Sequence, residues 1–372
     1  MPRFETEMRT LKGWSSDCDE RCGLCCLCQP ELLPEEETYF QRHHSKALAR
    51  KTRPHKHTAL ALKKGRGSCV LLQDRRCSDY ANRPHFCRMF PLHFHVGERL
   101  SVELDLSCRV AWQEGGVPAE EEAARLLRSN EDRVEETLRR SSSVYQEFRS
   151  NCEAAGVWAE PEGLREQVRS HLRSFKDFRF LGELMLMAND DLDFSLEDVN
   201  THQADFELEE LEEAAREAAL NSMDSSDPVG VPVYCAPAWS WNLYMASPEG
   251  VEWKVLDDDG DLQHRGFASA EQVGLLPLTP EGEEELLRYV AILNERDSVM
   301  GNACYLVDLY GYADHLSNAY FGVLAVAVMD LLWRAAMLSH FHGYEMDREG
   351  VREAVIFFDM DRLDAPTIGA FI

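Results

Sequence analysis

Twelve cysteines occur in the 372 residues, and nine of them, Cys18, Cys22, Cys25, Cys26, Cys28, Cys69, Cys77, Cys87 and Cys108, fall within the first 108. Such crowding constrains the chain before any helix or strand is assigned, because so many thiols in one region must be given a common chemical purpose. A disulfide framework suits short secreted chains with an even cysteine count. This chain is long, the crowded count is odd, and Met1–Lys12 mixes charges with few apolar residues, unlike the apolar core of a secretory signal. Metal ligation is the better reading. Cys18-x3-Cys22-x2-Cys25-Cys26 places four thiols within nine residues, with Gly23 between them to let the backbone turn tightly. Cys69, Cys77, Cys87 and Cys108 supply four more that only the fold can gather, so a metal would help to hold it. Eight thiolates suit two four-iron, four-sulfide clusters, two four-cysteine zinc sites, or one centre with cysteines to spare, Cys28 being the surplus member.

The residues around these thiols resemble a known family. In order, they are Cys22-Gly23-Leu24-Cys25-Cys26, Ser68-Cys69-Val70-Leu71-Leu72, Arg76-Cys77-Ser78-Asp79-Tyr80 and Arg83-Pro84-His85-Phe86-Cys87-Arg88-Met89-Phe90-Pro91. This set is similar to the motifs of the YkgJ-type cysteine-cluster family, a zinc- or iron-chelating domain of the CxxCxxCC type. The resemblance runs from Cys18 to Cys108, about a quarter of the chain. It implies that Cys18, Cys22, Cys25, Cys26, Cys69, Cys77, Cys87 and Cys108 are ligands, to iron–sulfur in the first instance, and it implies no settled reaction. The chain departs from the commonest form in the three residues between Cys18 and Cys22, in the extra Cys28, and in a 42-residue stretch between Cys26 and Cys69. The triplet Cys18, Cys22 and Cys25 also has the spacing of radical SAM enzymes, but Cys26 adjoins it and no series of strand–helix units follows.

Neighbouring residues are candidates for contact with a bound centre. Pro84 locks its own φ and pushes Arg83 out of the helical region, which aims Cys87. Arg88 could donate to a cluster and offset its negative charge. Tyr80, Phe86, Phe90 and Phe94 would limit solvent access, so Tyr80, Arg83 and Arg88 are the expected cofactor-binding residues. Seven of the 13 histidines, His43, His44, His55, His57, His85, His93 and His95, share this region, and His93-x-His95 would share one strand face. His55 and His57 sit among Arg50, Lys51, Arg53, Lys56, Lys63, Lys64 and Arg66, where positive charge disfavours a cation. That basic stretch, Arg42–Arg66, is expected to dock on the acidic remainder of the same chain. A pocket between the two halves, lined by the cluster, Arg88 and His93, would instead mark an enzyme.

Charge divides the chain. Residues 1–112 carry 19 basic and 14 acidic side chains and residues 113–372 carry 20 and 52, within a net charge of −27. So negative a surface repels phosphates, arguing against nucleic acid or an anionic membrane as partner. The apolar run Leu316–Met329 has only 14 residues before Asp330, short of the ~18–20 a membrane span requires, so it reads as a buried helix.

Helical periodicity is expected over Ala119–Cys152, Pro161–Met187 and Glu207–Asn221, with a boundary at Asp224–Pro228. Strands are expected at Val231–Ala236, Trp239–Met245, Val251–Leu256 and Leu262–Phe267, the last two joined by a turn at Asp257–Gly260. Helices at Pro280–Asn294 and His315–His342 and a closing strand at Val355–Phe358 complete the pattern, and Cys152, Cys235 and Cys304 read as isolated buried residues. The expected class is α+β: a predominantly helical, metal-stapled cysteine-cluster domain (1–115), an acidic helical region (116–225) and a small mixed α+β domain (226–372). The expected function is cytoplasmic iron–sulfur binding, with one or two 4Fe-4S clusters serving electron transfer or the maturation or modification of a protein or redox partner. The alternative is a structural zinc module that scaffolds a protein-interaction domain.

Overall fold

The apolar sequence around Leu316 becomes the helix Leu316–His342, whose most apolar stretch is 89% buried inside the protein. It is apolar on every side because every side is covered: the helices Phe178–Ala188, Leu208–Ser222, Asp297–Leu309 and Arg348–Leu363 all pack against it. Its one buried cation, Arg334, is neutralised by Asp330 at 2.7 Å and Asp361 at 2.6 Å and lies over the rings of Phe357 and Phe358. This α+β structure, a computed structural model, describes residues 5–19, 21–52, 56–190, 192–201, 208–223, 231–247 and 249–372. Arg53, His55 and the expected boundary at Asp224–Pro228 lie outside the described residues.

Most expected elements are present. Ala119–Cys152 is two helices, Ala119–Ser129 and Glu131–Ala155, meeting at Asn130. Pro161–Met187 is likewise divided into Pro161–His171 and Phe178–Ala188 by a tight turn. Two expectations are corrected. Val355–Phe358 is not a strand but lies inside the helix Arg348–Leu363, started by Asp347, whose carboxylate accepts from the amides of Glu349 and Gly350 at 2.9 and 3.0 Å. Its β-branched and aromatic run reflects burial on all sides of that helix. The cysteine-cluster region is also not predominantly helical: Pro34–His43 and His85–Met89 are its α-helices, and short strands and turns supply the rest.

Two four-stranded sheets organise the chain. The first runs Thr6–Glu7, Leu100–Leu104, Leu92–Val96, Ala370–Phe371, so the short strand Ala370–Phe371 pairs with the strand that carries His93 and His95. The second is an antiparallel meander of Leu262–Ala268, Gly250–Leu256, Trp241–Ser247 and Val233–Cys235, with Cys235 opposite Trp241. One buried apolar cluster extends from Leu11 to Ile372 and so includes all three sequence segments. A smaller cluster joins Leu24 and Leu72 of the cysteine region to Cys235, Trp241, Leu243 and Leu256 of the meander.

The first sheet is fastened to the helices by a buried ion pair. Arg296 donates to both oxygens of Asp359 at 2.7 and 2.8 Å and to the Leu104 carbonyl at 2.8 Å, while Tyr289 and the Leu106 amide donate to the same carboxylate. Removing one member of such a pair leaves a desolvated charge. Asp359→Ala is therefore expected to lower unfolding free energy by ~3–5 kcal/mol, as measured by urea denaturation.

Candidate metal centre

All nine N-terminal cysteines line one cavity of about 240 Å³. Gly23 makes this possible: at φ +63° it takes the left-handed turn that starts the helical turn Leu24–Cys26, and a Cβ there would press on Trp241 at 3.2 Å and Leu72 at 3.3 Å. Cys25 and Cys26 thus sit in a helical turn rather than in extended chain. The amide of Cys69 donates to the Cys26 carbonyl at 2.7 Å, which brings the second motif to the first. Cys77 is on a two-residue strand paired with Leu72–Gln73. Cys87 lies one turn into the helix His85–Met89, entered through an extended Arg83 and Pro84 as their sequence dictates.

The long stretch between Cys26 and Cys69 buttresses this arrangement. Glu36, at the start of the helix Pro34–His43, accepts from its own Leu33 amide at 3.1 Å and from the His85 amide at 2.7 Å, tying that helix to the one bearing Cys87. Asp79, two residues after Cys77, accepts from Tyr39 at 2.9 Å and Asn82 at 2.8 Å and meets the His44 ring at 2.8 Å. His44 is thereby a clamp for Asp79.

Around the thiols the lining is charged and aromatic, with three arginines against Asp17 and Asp19. Arg75, Arg76, Arg83 and Tyr80 face the cavity, and Arg83 stacks on the Tyr80 ring at 3.6 Å. Arg88 turns away, donating to the Arg83 carbonyl at 2.7 Å and to Glu36 at 3.3 Å. Tyr80 and Arg83 are therefore brought to the site and Arg88 is not, while Arg75 and Arg76 join without having been anticipated. Among the described N-terminal histidines, His93 borders a cavity holding thiols, a second one of about 190 Å³ that shares Cys25, Cys28 and Cys87 with the first. Phe86, Phe90 and Phe94 line that second space, and Phe90 borders both. His93 faces the buried Asp105 at 3.6 Å.

Burial pushes the Cys69 thiol up to about 11 and raises Cys108 and Cys87 as well, since desolvation disfavours the thiolate. A metal taken up at these positions must displace protons. Among the described residues no three His, Cys, Asp or Glu side chains converge on a single ion-sized point; the thiols are spread around the cavity wall.

A tenth cysteine belongs to this neighbourhood. Cys235 is fully buried, as expected, but it is not isolated: its Sγ lies 4.0 Å from that of Cys22. No local spacing announces it, because the meander delivers it from far along the chain. The meander is seated by the acidic turn Asp257–Asp261, where Asp257 accepts from the amides of Asp259 and Asp261 at 3.0 and 2.8 Å. Lys64 reaches Asp261 at 2.8 Å and Asp259 at 3.2 Å, Arg66 reaches Asp261 at 2.9 Å, and Arg75 reaches Asp258 at 3.1 Å. The end of the basic stretch, Lys64 and Arg66, thus docks on the acidic part of its own chain, joined by Arg75 from beyond it.

Residues 17–109 match the CxxCxxCC family model, described as "Putative zinc- or iron-chelating domain". This cysteine-rich quarter of the chain is thus a metal-binding domain of that type. No curated protein and no solved structure matches the chain.

Gly67 is where the docked segments come closest: a Cβ there would meet the Asp259 backbone at 2.4 Å and the Gly260 nitrogen at 2.6 Å. Gly67→Ala is expected to cost ~1–3 kcal/mol by forcing the two backbones apart. Lys64→Ala, which removes only exposed ion pairs, should cost under ~1 kcal/mol in the same denaturation assay.

Proposed function

We propose that the cysteine cavity holds iron–sulfur, as one or two four-iron clusters, and that the protein serves electron transfer or the maturation or modification of a protein partner. The observation that carries this reading is the number and distribution of the thiols: nine surround one cavity, more than a single four-cysteine zinc site would use. A tetrahedral zinc draws its four ligands in to ~2.0–2.3 Å. A cluster supplies its own sulfides and irons and is held from outside by cysteines spaced around it, which suits a cavity of this size with thiols on its wall. Cys18, Cys22, Cys25, Cys26, Cys69, Cys77, Cys87 and Cys108 are the proposed ligands. Arg75, Arg76 and Arg83 on the lining would offset the negative charge of thiolate-bound iron, and Tyr80 with Phe90 would restrict water. The chemistry such a centre supplies when bound is one-electron transfer.

The test is iron, zinc and acid-labile sulfide content, with visible absorption, on protein purified without oxygen. Iron and sulfide in equal amounts, about four or about eight of each per chain, are expected, with a loss of at least half in a Cys25→Ser, Cys87→Ser double variant. One or two zinc with no sulfide would replace this reading with that of a structural zinc module scaffolding a protein-interaction surface.

A further inference from the structure

The family match ends at residue 109, and the meander beyond it carries a thiol that touches the motif. From this geometry we infer that Cys235 is a ligand of the metal centre, beside Cys22 or in its place, so that the C-terminal sheet contributes a thiolate to it. The inference rests on the reading that the cysteine cavity holds a thiophilic metal, whether iron or zinc.

Three observations carry it. The first is the distance. The Cys22 and Cys235 sulfurs are 4.0 Å apart, near the ~3.8 Å of two thiolates on one tetrahedral zinc at ~2.3 Å; a four-iron cluster, whose irons each take one cysteine, would bind Cys235 in the place of Cys22, and a disulfide would require ~2.05 Å. The second is that both backbones are fixed from outside. Arg109 donates to the Cys235 carbonyl through Nε at 2.9 Å and Nη2 at 2.6 Å. The Cys22 carbonyl accepts from Trp241 Nε1 at 3.0 Å and from Arg75 at 3.3 Å, with Arg75 stacked on the Trp241 ring at 3.6 Å. Neither backbone can shift far without breaking these bonds, and such support is what a preorganised ligand pair needs.

The third is the setting. Arg109 directly follows Cys108, itself a wall of the cavity, and its charge is balanced by Glu353, which also accepts from Tyr234 at 2.7 Å. Tyr234 directly precedes Cys235. The residues beside Cys108 and beside Cys235 are thus joined through a single buried carboxylate. Cys152 and Cys304 are buried in the main apolar cluster, where the thiol that Cys304 feels is that of Cys152.

The full-length chain is purified without oxygen as wild type, Cys235→Ser and Cys304→Ser, and bound metal is measured before and after a chelator challenge together with the visible spectrum. Cys304→Ser is expected to match wild type. Cys235→Ser is expected to retain metal ~10-fold less well, or worse, with a shifted thiolate-to-metal absorption. A Cys235→Ser protein with wild-type metal retention and spectrum would overturn the inference.

A second measurement uses the unaltered chain, in case the variant does not fold. An azo oxidant such as diamide takes up the two thiol hydrogens on its nitrogens while a bond forms between the two sulfurs. In metal-free protein it should yield a Cys22–Cys235 cross-linked peptide by mass spectrometry, and in metal-loaded protein at least ~10-fold less. Equal cross-linking in both forms, or none in either, would overturn the inference. Zinc in place of iron and sulfide would remove the iron–sulfur reading alone, provided Cys235→Ser still sheds the zinc. A wild-type chain that binds neither metal would remove both.

Discussion

The pairing of Arg109 with Glu353 is the interaction on which the rest of the site depends. A guanidinium cannot be stripped of water at that depth without a counter-charge, and the only way this one is satisfied is to bring Glu353 of the last long helix and the Cys235 carbonyl of the meander against the segment that carries Cys108. Metal-domain wall, sheet and helix are thereby fixed to one another through a single side chain. Arg296 with Asp359 repeats the device less than two turns along the same helix, where it fastens the strand ending at Leu104. The cysteine region is therefore held by two buried arginine–carboxylate pairs, in addition to any contribution from a metal.

The complementary charge of the two halves of the chain looks, in the sequence, like the force that brings them together. The structure gives it a smaller part. Lys64, Arg66 and their aspartates are about half exposed, where such pairs contribute ~0–1 kcal/mol each. What fixes the turn Asp257–Asp261 on the cysteine region is backbone proximity at Gly67 and Gly260, together with Ser68, whose amide and hydroxyl both donate to the Asp258 carbonyl at 3.0 Å. Charge brings the right surfaces to face each other, and shape and main-chain hydrogen bonds decide the register.

The parts legible in the sequence were those whose signal is local. The cysteine motifs, the Asp257 turn with its two flanking strands, and the apolar helix after His315 each declare themselves within a short window. The helix Asp297–Leu309 did not, because it is buried on nearly every face and so lacks an amphipathic stripe. Val355–Phe358 misled for the same reason, its burial pattern being indistinguishable from that of an inner strand. The lining was legible only in part. Arg88 stands next to a ligand cysteine, but the helical turn points it outward to Glu36, whereas Arg75 reaches the cavity from a tight turn with φ above zero at Asp74 and Arg75. Cys235 was the least legible of all, since what gives it meaning is a contact across folded space.

That contact also sets an order of events. The chain leaves the ribosome N-terminus first, so the nine clustered thiols are in the open while the meander, and Glu353 at 244 residues beyond Arg109, have yet to be made. During that interval bare thiols are open to oxidation and to whatever metal arrives first. The wall of the cavity is built from residues before Trp112, and the part of the chain with no cysteine motif of its own arrives last to brace that wall from behind, at Cys22 and Gly23.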